Sequence, residues 1–264
     1  MSRLGPANAG NESFCAQLAK YKTADMFRNC LSVICAESEE MLDRVFRLRF
    51  QVYCLERRFE EANEHPDGRE RDDYDWRSLH FLVSDRATAS AMGTVRLILP
   101  RVGDDLPVLR VIGAGERRRV DLPLTTTAEV SRFAIARAFR RQLEAGWYHA
   151  GELTPMPGGS HGPALQLVTF GLIQAVLKMT LTGGISHIVA MMEPSLLRLL
   201  GRLGIEFHPI GGPVQYHGLR QPGWAAVDRL VDRVRDCHGE LWEVVTDAGR
   251  HSARSRLWPM PSHV

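Results

Sequence analysis

Two segments with the composition of buried strands carry charged side chains, and this combination limits the folds that the chain can adopt. The segments are 93–97 (Gly-Thr-Val-Arg-Leu) and 129–133 (Glu-Val-Ser-Arg-Phe), and a strongly acidic run at 70–75 precedes them. An unpaired charge among apolar groups is strongly unfavourable, so each of these side chains needs a partner. The fold must therefore bring acids and arginines together, and a catalytic or binding cleft is one arrangement that does so.

Length and composition indicate one large folded domain, with or without extensions. The chain has 264 residues, of which 44% are hydrophobic, and its net charge of +2 gives no reason to expect nucleic-acid binding. The five cysteines form no Cys-x-x-Cys pair, which argues against a zinc site or a disulfide framework and favours a reduced, cytoplasmic setting. The N-terminus lacks the apolar core of a signal peptide, and the most apolar stretch, 165–179, is too polar to span a membrane. We therefore expect no integral membrane association.

The spacing of apolar residues predicts a mixed α/β sheet with helices on both faces. Strands are expected at 31–36, 79–84, 92–99, 129–135 and 187–192, and a further strand is expected to open at 205–207. Ser38 predicts the N-cap of an amphipathic helix that continues to Val52, and Pro163 and Gly183 bound a long helix over 163–182. We assign 31–235 to one domain, 1–30 to a partly disordered N-terminal extension and 236–264 to a C-terminal extension.

Side-chain alternation constrains the second charged strand. In a regular strand Glu129, Ser131 and Phe133 point to one face of the sheet, and Arg132 points to the other. A β-bulge would bring Glu129 and Arg132 to the same face. We expect Arg132 to pair with acids of the 70–75 run while Glu129 faces a cleft, or the reverse.

An ordered set of motifs resembles a group of acyl-transferring enzymes. In chain order the motifs are 49–54 (Arg-Phe-Gln-Val-Tyr-Cys), Phe59, 70–75 (Glu-Arg-Asp-Asp-Tyr-Asp), 93–97 and 129–133. The set resembles the acyl-homoserine-lactone synthases and the N-acyl amino acid synthases. The segments 52–56 and 66–70 are closer in sequence to the acyltransferase family associated with exosortase (PEP-CTERM) systems. The resemblance covers about residues 40–220 and rests on the order of the motifs, since short motifs recur by chance.

The resemblance implies the GNAT acyl-CoA N-acyltransferase fold, with a mixed, mostly antiparallel central sheet. In that fold the sheet splays between two middle strands, here 129–135 and 187–192. The pantetheine arm of the acyl donor lies in the gap. Ser131, Phe133 and Ile135 are therefore expected on the donor side.

The segment after the first of these strands departs from the acetyl-CoA enzymes of that fold. Those enzymes have a glycine-rich loop there, whose backbone N–H groups bind phosphates. This chain has Arg137, Arg140 and Arg141 instead. These arginines would attract an acyl carrier protein, which is acidic, so they favour a donor that is carried on such a protein. The donor is then a substrate, acyl-phosphopantetheine on a carrier protein or on CoA, and no permanently bound cofactor or metal is expected.

Acyl transfer from a thioester to an amine needs a base, a polarised carbonyl group and a buried acyl chain. Glu129 is the candidate base, directly or through water, because burial raises the pKa of a carboxyl group toward neutrality. The competing interpretation is a Glu129 that pairs with an arginine for structural reasons alone. Arg96 and Arg132 complete the expected catalytic set.

The resemblance places the amine acceptor beside the acidic run. The expected acceptor-binding residues are Arg49, Tyr53, Phe59, Asp72 and Asp75. The two acids either hold a cationic amine or fix Arg49 and Arg96. The same two arginines suit a substrate carboxylate, which a guanidinium binds in a two-pronged geometry. For the two aromatic residues, core packing is the alternative to substrate recognition.

These features predict an N-acyltransferase that moves a fatty acyl group from acyl carrier protein, or from CoA, to a small amine such as an amino acid or its derivative. One alternative is an acyl-homoserine-lactone synthase that uses S-adenosylmethionine. Another is a non-catalytic module that docks a carrier protein.

Overall fold

An eight-stranded sheet organises the chain in the computed structural model, which describes residues 23–117, 120–137 and 163–250. The strands are β1 (Leu31–Cys35), β2 (Ser78–Asp85), β3 (Ala91–Ile98), β4 (Thr127–Ile135), β5 (His187–Met192), β6 (His208–Pro209), β7 (Val214–Gln215) and β8 (Leu219–Ala226). The helices are α1 (Thr23–Cys30), α2 (Glu39–Arg49), α3 (Pro107–Val111), α4 (Ala114–Arg117), α5 (Pro163–Thr182), α6 (Pro194–Arg202), α7 (Val227–Cys237) and α8 (Gly239–Val245). The strand order is β1-β2-β3-β4-β5-β8-β6, with β7 paired to β8. The predicted mixed, mostly antiparallel sheet is confirmed.

The strands β4 and β5 pair in parallel and then separate, whereas the other described strand pairs are antiparallel. The last paired residues are Val130 and Ala190, although β4 continues to Ile135 and β5 to Met192. The carboxyl ends of the two strands therefore leave an opening in the middle of the sheet, as the family resemblance implied.

A bulge interrupts β4 at Arg132. Two residues of β4, Arg132 and Phe133, oppose the single residue of β3 between Thr94 and Arg96. Arg132 has a φ of 49°, in the left-handed region, where a side chain with a Cβ costs roughly 1–2 kcal/mol. The extra residue resets the alternation, so that Arg132 reaches the face of the sheet on which Glu129 lies.

Helices cover both faces of the sheet. On one face α5 packs with α1, α7 and α8 over the main apolar core, and α2 lies on the other face. Phe27 of α1 and Leu241 and Val244 of α8 are buried in the main core. The packed core therefore extends beyond the predicted boundaries at 31 and 235.

Several elements differ from the sequence-based prediction. The helix expected to continue to Val52 ends at Arg49 and becomes a π-helical turn over Phe50–Glu56. The strand expected to open at 205–207 is instead β6, His208–Pro209. The strand β8 was not predicted, because Pro222 and Gly223 in its sequence disfavour a strand assignment.

Candidate active site

Arg49 lies where α2 gives way to the π-helical turn, a kind of irregularity that is frequent at functional sites. Its side chain is fully buried. Its Nε donates a hydrogen bond to Glu70 at 2.5 Å, and its Nη1 donates one to Asp75 at 2.6 Å. Arg49 therefore holds the acidic run against the sheet, and its guanidinium is not presented to the cleft.

Arg96 projects from β3 on the sheet face that carries Ser131, and it binds two acids of the 70–75 run. Its Nη1 lies 2.5 Å from an Asp72 oxygen and 2.6 Å from an Asp75 oxygen. Its Nε donates to the Ser131 hydroxyl at 3.0 Å, across the β3–β4 pair. Both Asp72 and Asp75 therefore contact arginines, which is one of the two roles that the sequence left open for them.

Arg132, re-aimed by the bulge, reaches the same acids from β4. Its Nη2 lies 2.8 Å from Glu70, 3.1 Å from Asp72 and 3.4 Å from Glu60. Its guanidinium also lies 5.2 Å from the centre of the Tyr53 ring, a cation–π distance. The expected pairing of Arg132 with the 70–75 run is present.

The acids of this network are held in their charged form. Burial alone would raise the pKa of Glu70, but Arg49 and Arg132 outweigh it and lower the pKa to about 2. Burial would also raise the pKa of Asp72, but Arg96 outweighs this effect and lowers the pKa of Asp72 to about 2. At neutral pH both carboxyl groups are therefore ionised.

Glu129 has the opposite environment. It lies opposite Ile98 and shares a sheet face with Arg96 and Ser131, because directly opposed residues of an antiparallel pair point the same way. Its side chain is buried, and within the described part of the chain its carboxylate accepts a hydrogen bond from the Val108 N–H at 2.8 Å rather than pairing with an arginine. Burial raises its pKa to about 7, although the Val108 hydrogen bond and Arg96 act against this shift.

A turn between β7 and β8 packs against the segment that follows the π-helical turn. His217, at a φ of 47°, stacks against Phe59 with 5.7 Å between ring centres, and its Nε2 lies 3.9 Å from Glu60. Phe59 in turn lies 6.3 Å from Tyr53 and beneath the guanidinium of Arg220. The two aromatic residues expected at the acceptor side are therefore part of an aromatic contact that links the π-helical turn to the hairpin.

The donor-side residues lie along the separated half of β4. Ser131 bonds to Arg96, while Phe133 and Ile135 are partly buried against the main core. The backbone N–H of Arg137 donates to both carboxylate oxygens of Glu56, at 3.0 and 2.9 Å. The predicted donor contacts of Arg140 and Arg141 lie outside the described residues.

An apolar cleft of about 390 Å³ lies on the same side of the sheet as Glu129. Its wall is mainly apolar, with Leu109, Ile112, Leu122 and Ile210, and the charged residues Arg117 and Asp121 also line it. Leu109 directly follows Val108, which binds the Glu129 carboxylate. The cleft is within the size range of small-molecule sites in proteins.

Sequence reasoning missed part of this site. Glu70 is the acid that bridges Arg49 and Arg132, yet only its place in the acidic run pointed to it. Glu60 and His217 had no local signal, because long-range folding brings them together. The Val108 N–H belongs to the 101–126 connection, whose path no periodic pattern predicts.

Metal-binding clusters and membrane spans are both absent from the part of the chain that the structure describes. In residues 23–117, 120–137 and 163–250 there is no group of three or more side chains suited to holding a metal ion. Over the same ranges, no helix has both the length and the apolar character needed to cross a bilayer.

Comparison with known proteins supports an acyltransferase. A family model described as an acetyltransferase (GNAT) domain matches residues 48–146, and no curated protein matches the chain. BjaI, a CoA-dependent acyl-homoserine lactone synthase whose structure was solved with MTA, is 21% identical in sequence. Its structure has a TM-score of 0.56 and covers 80% of this chain and 89% of BjaI. The AHL synthase LasI is 18% identical, with a TM-score of 0.50 over 74% and 88%. FeeM, an N-acyl amino acid synthase from uncultured soil microbes, is 14% identical, with a TM-score of 0.50 over 77% and 93%.

The chain thus has the GNAT-like α/β fold of these structures, and the domain match together with that fold supports an acyl-transferring enzyme.

Proposed function

We propose that the chain is an N-acyltransferase that transfers a fatty acyl group from a phosphopantetheine thioester to the amine of a small acceptor, an amino acid or its derivative. The carrier of the thioester is acyl carrier protein in the first instance and CoA in the second. The same proposal includes a cytoplasmic setting. It also includes an association with exosortase systems, which the 52–56 and 66–70 segments suggest.

The state of Glu129 is the observation that carries this proposal. A buried glutamate kept only for the fold is expected to pair with an arginine, and three arginines lie in the adjacent network. Glu129 instead binds a backbone N–H and has a pKa of about 7, near the value that suits a general base at neutral pH. The division of the acids into a permanently charged set and one neutral-range group is typical of acid–base sites.

The proposed reaction uses Glu129 as a proton carrier. The acceptor ammonium first loses one proton to solvent, and the neutral amine nitrogen then attacks the thioester carbonyl carbon. Glu129 takes a second proton from that nitrogen, directly or through water. The tetrahedral intermediate then collapses, the C–S bond breaks, and the pantetheine thiolate leaves. Glu129 returns the proton to the thiolate, so the carboxyl group ends the cycle as it began.

The acceptor is proposed to bind beside Asp72. Its side chain is 26% exposed, whereas Asp75 is 9% exposed and Arg49 is fully buried. Asp72 is therefore the member of the acid run that is best placed to attract an ammonium group. We assign Arg49 and Asp75 to holding Asp72 and Arg96 in position.

The acyl chain is proposed to occupy the 390 Å³ cleft. The lining residue Leu109 directly follows Val108, whose N–H binds the Glu129 carboxylate, and this proximity supports a chain bound with its carbonyl end toward the base. Burying each methylene group of a fatty chain contributes about 0.8 kcal/mol. A carrier-bound chain would gain most of its affinity in this way.

A direct assay tests the proposal. The purified chain is incubated with acyl carrier protein or CoA loaded with acyl groups of several lengths, and with a panel of amines that includes S-adenosylmethionine. Thiol release and product mass are followed. An N-acyl amino acid supports the proposal, a lactone identifies the synthase alternative, and carrier binding without thiol release identifies the non-catalytic module.

A further inference from the structure

The opening between β4 and β5 has a position at which a donor phosphate is expected to bind. In α/β proteins ligands enter at the carboxyl ends of parallel strands, where the connections diverge. Phosphates bind free backbone N–H groups readily, as they do where a strand leads into the N-terminus of a helix. After β4 the Ala136 N–H bonds to Met92, so the Arg137 N–H is the first that is not used by the sheet.

That N–H group already has an anion bound to it. Both carboxylate oxygens of Glu56 accept from Arg137, at 3.0 and 2.9 Å. The Gln51 amide donates to the same carboxylate at 3.0 Å and holds it in place from within the π-helical turn. The irregular turn at the end of α2 thus delivers a negative charge to the carboxyl end of β4.

We propose that Glu56 is a donor-selectivity residue that disfavours acyl-CoA. This inference rests on the proposed function, since it concerns the donor of that same site. Acyl-CoA brings a diphosphate and a ribose phosphate to the opening between β4 and β5, whereas the phosphopantetheine arm of a carrier protein brings one phosphodiester. The fixed carboxylate repels the more highly charged donor more strongly, and a charge about 4 Å from another in a partly solvated site changes affinity by about tenfold.

Replacement of Glu56 by glutamine isolates the charge. The amide oxygen that Glu56→Gln introduces still accepts from the Arg137 N–H, so the local geometry is retained while the charge is removed. Glu56→Asp keeps the charge, and Glu61→Gln removes a charge from an exposed residue of the following loop. These two variants are the matched controls.

Calorimetric titration of free CoA into the full chain is the first measurement, and it needs no turnover. The dissociation constant for CoA should fall by about tenfold in Glu56→Gln. It should change by no more than about twofold in Glu61→Gln, because isolated surface charges contribute little. Glu56→Asp should bind CoA no more tightly than the wild type. A Glu56→Gln variant that binds CoA no better than the wild type, or not at all, overturns the proposal.

Turnover separates this proposal from the proposed function. In Glu56→Gln, kcat/KM for acyl-CoA should rise through a lower KM, while kcat/KM for acyl carrier protein with the same chain changes less. An equal rise for both donors, or no rise for either, contradicts selectivity by Glu56. If no donor is turned over by the wild type, the acyltransferase proposal fails, and the CoA titration alone decides the role of Glu56.

Discussion

At the scale of single residues, Glu70 connects the network. It is buried and accepts from Arg49 at 2.5 Å and from Arg132 at 2.8 Å. Arg132 is a left-handed residue in a bulge, and its guanidinium is held by Glu70 and Asp72. Loss of Glu70 would leave the buried guanidinium of Arg49 and the partly buried guanidinium of Arg132 with fewer partners, which is more harmful than loss of a surface pair.

The variant Glu70→Gln should therefore be less stable by about 3–5 kcal/mol at pH 7, measured by urea unfolding. Because the pKa of Glu70 is lowered from 4.5 to about 2 on folding, its charged form stabilises the protein above pH 4.5, and that contribution is lost as the pH falls through 2. The difference between wild type and variant should narrow correspondingly in acid. Glu64→Gln, at an exposed position of the same loop, is the control and should leave stability unchanged. Equal stability of Glu70→Gln and wild type at pH 7 would contradict this role.

The sequence predicted the members of this network better than their roles. Unfavourable charge in apolar segments pointed to Arg96, Glu129 and Arg132 because such charges need partners in any fold. It did not show whether Asp72 and Asp75 hold a substrate or hold arginines, since that choice depends on distances between distant segments. The contact between Glu129 and Val108 was likewise invisible, because it depends on the path of a loop.

At the scale of elements, regular structure was predictable and irregular structure was not. The helix α5 runs over Pro163–Thr182 as its proline and glycine signals predicted, and the Ser38 hydroxyl accepts from the Met41 N–H as an N-cap should. The bulge places an arginine at positive φ, where glycine is the usual choice, so sequence offered only the conditional statement that a bulge was needed. The sequence contains no comparable signal for the π-helical turn.

The sheet–helix contact at Gly93 is a second element-scale feature that permits a test. A Cβ at Gly93 would meet the Ala134 carbonyl oxygen at 3.0 Å, Val168 at 3.1 Å and Leu172 at 3.3 Å. Since a backbone oxygen cannot move aside easily, Gly93→Ala should lower the unfolding free energy by roughly 1–3 kcal/mol.

Thermal and urea unfolding of Gly93→Ala and Gly201→Ala together test this claim. Gly201 lies in α6, and a Cβ there meets nothing within 4 Å. Gly201→Ala should leave stability unchanged or raise it by up to about 1 kcal/mol, because alanine favours helices over glycine. A Gly93→Ala variant as stable as Gly201→Ala would show that β4 and α5 do not pack as closely against Gly93 as described.

At the scale of the whole molecule, the fold separates two tasks on either side of one sheet. One face, covered by α1, α5, α7 and α8, is the apolar core. The other face holds the charged network, Glu129 and the apolar cleft, and β4 and β5 separate beyond Val130 and Ala190. The GNAT-like sheet thus provides a site whose charged acids are neutralised by arginines, while one buried carboxyl group remains able to exchange a proton.

The central claim is that this carboxyl group, Glu129, is the base of an acyl-transfer reaction, and the pH dependence of kcat/KM for wild type and Glu129→Gln tests it most directly. The wild-type rate should rise with pH through about 7, because the deprotonated form of Glu129 is the active base. Glu129→Gln should be folded and lower in kcat/KM by about 10²–10⁴-fold. It should also lack the titration near pH 7 and keep only the limb that belongs to the acceptor amine. A folded Glu129→Gln variant with undiminished turnover and an unchanged pH profile would contradict the claim.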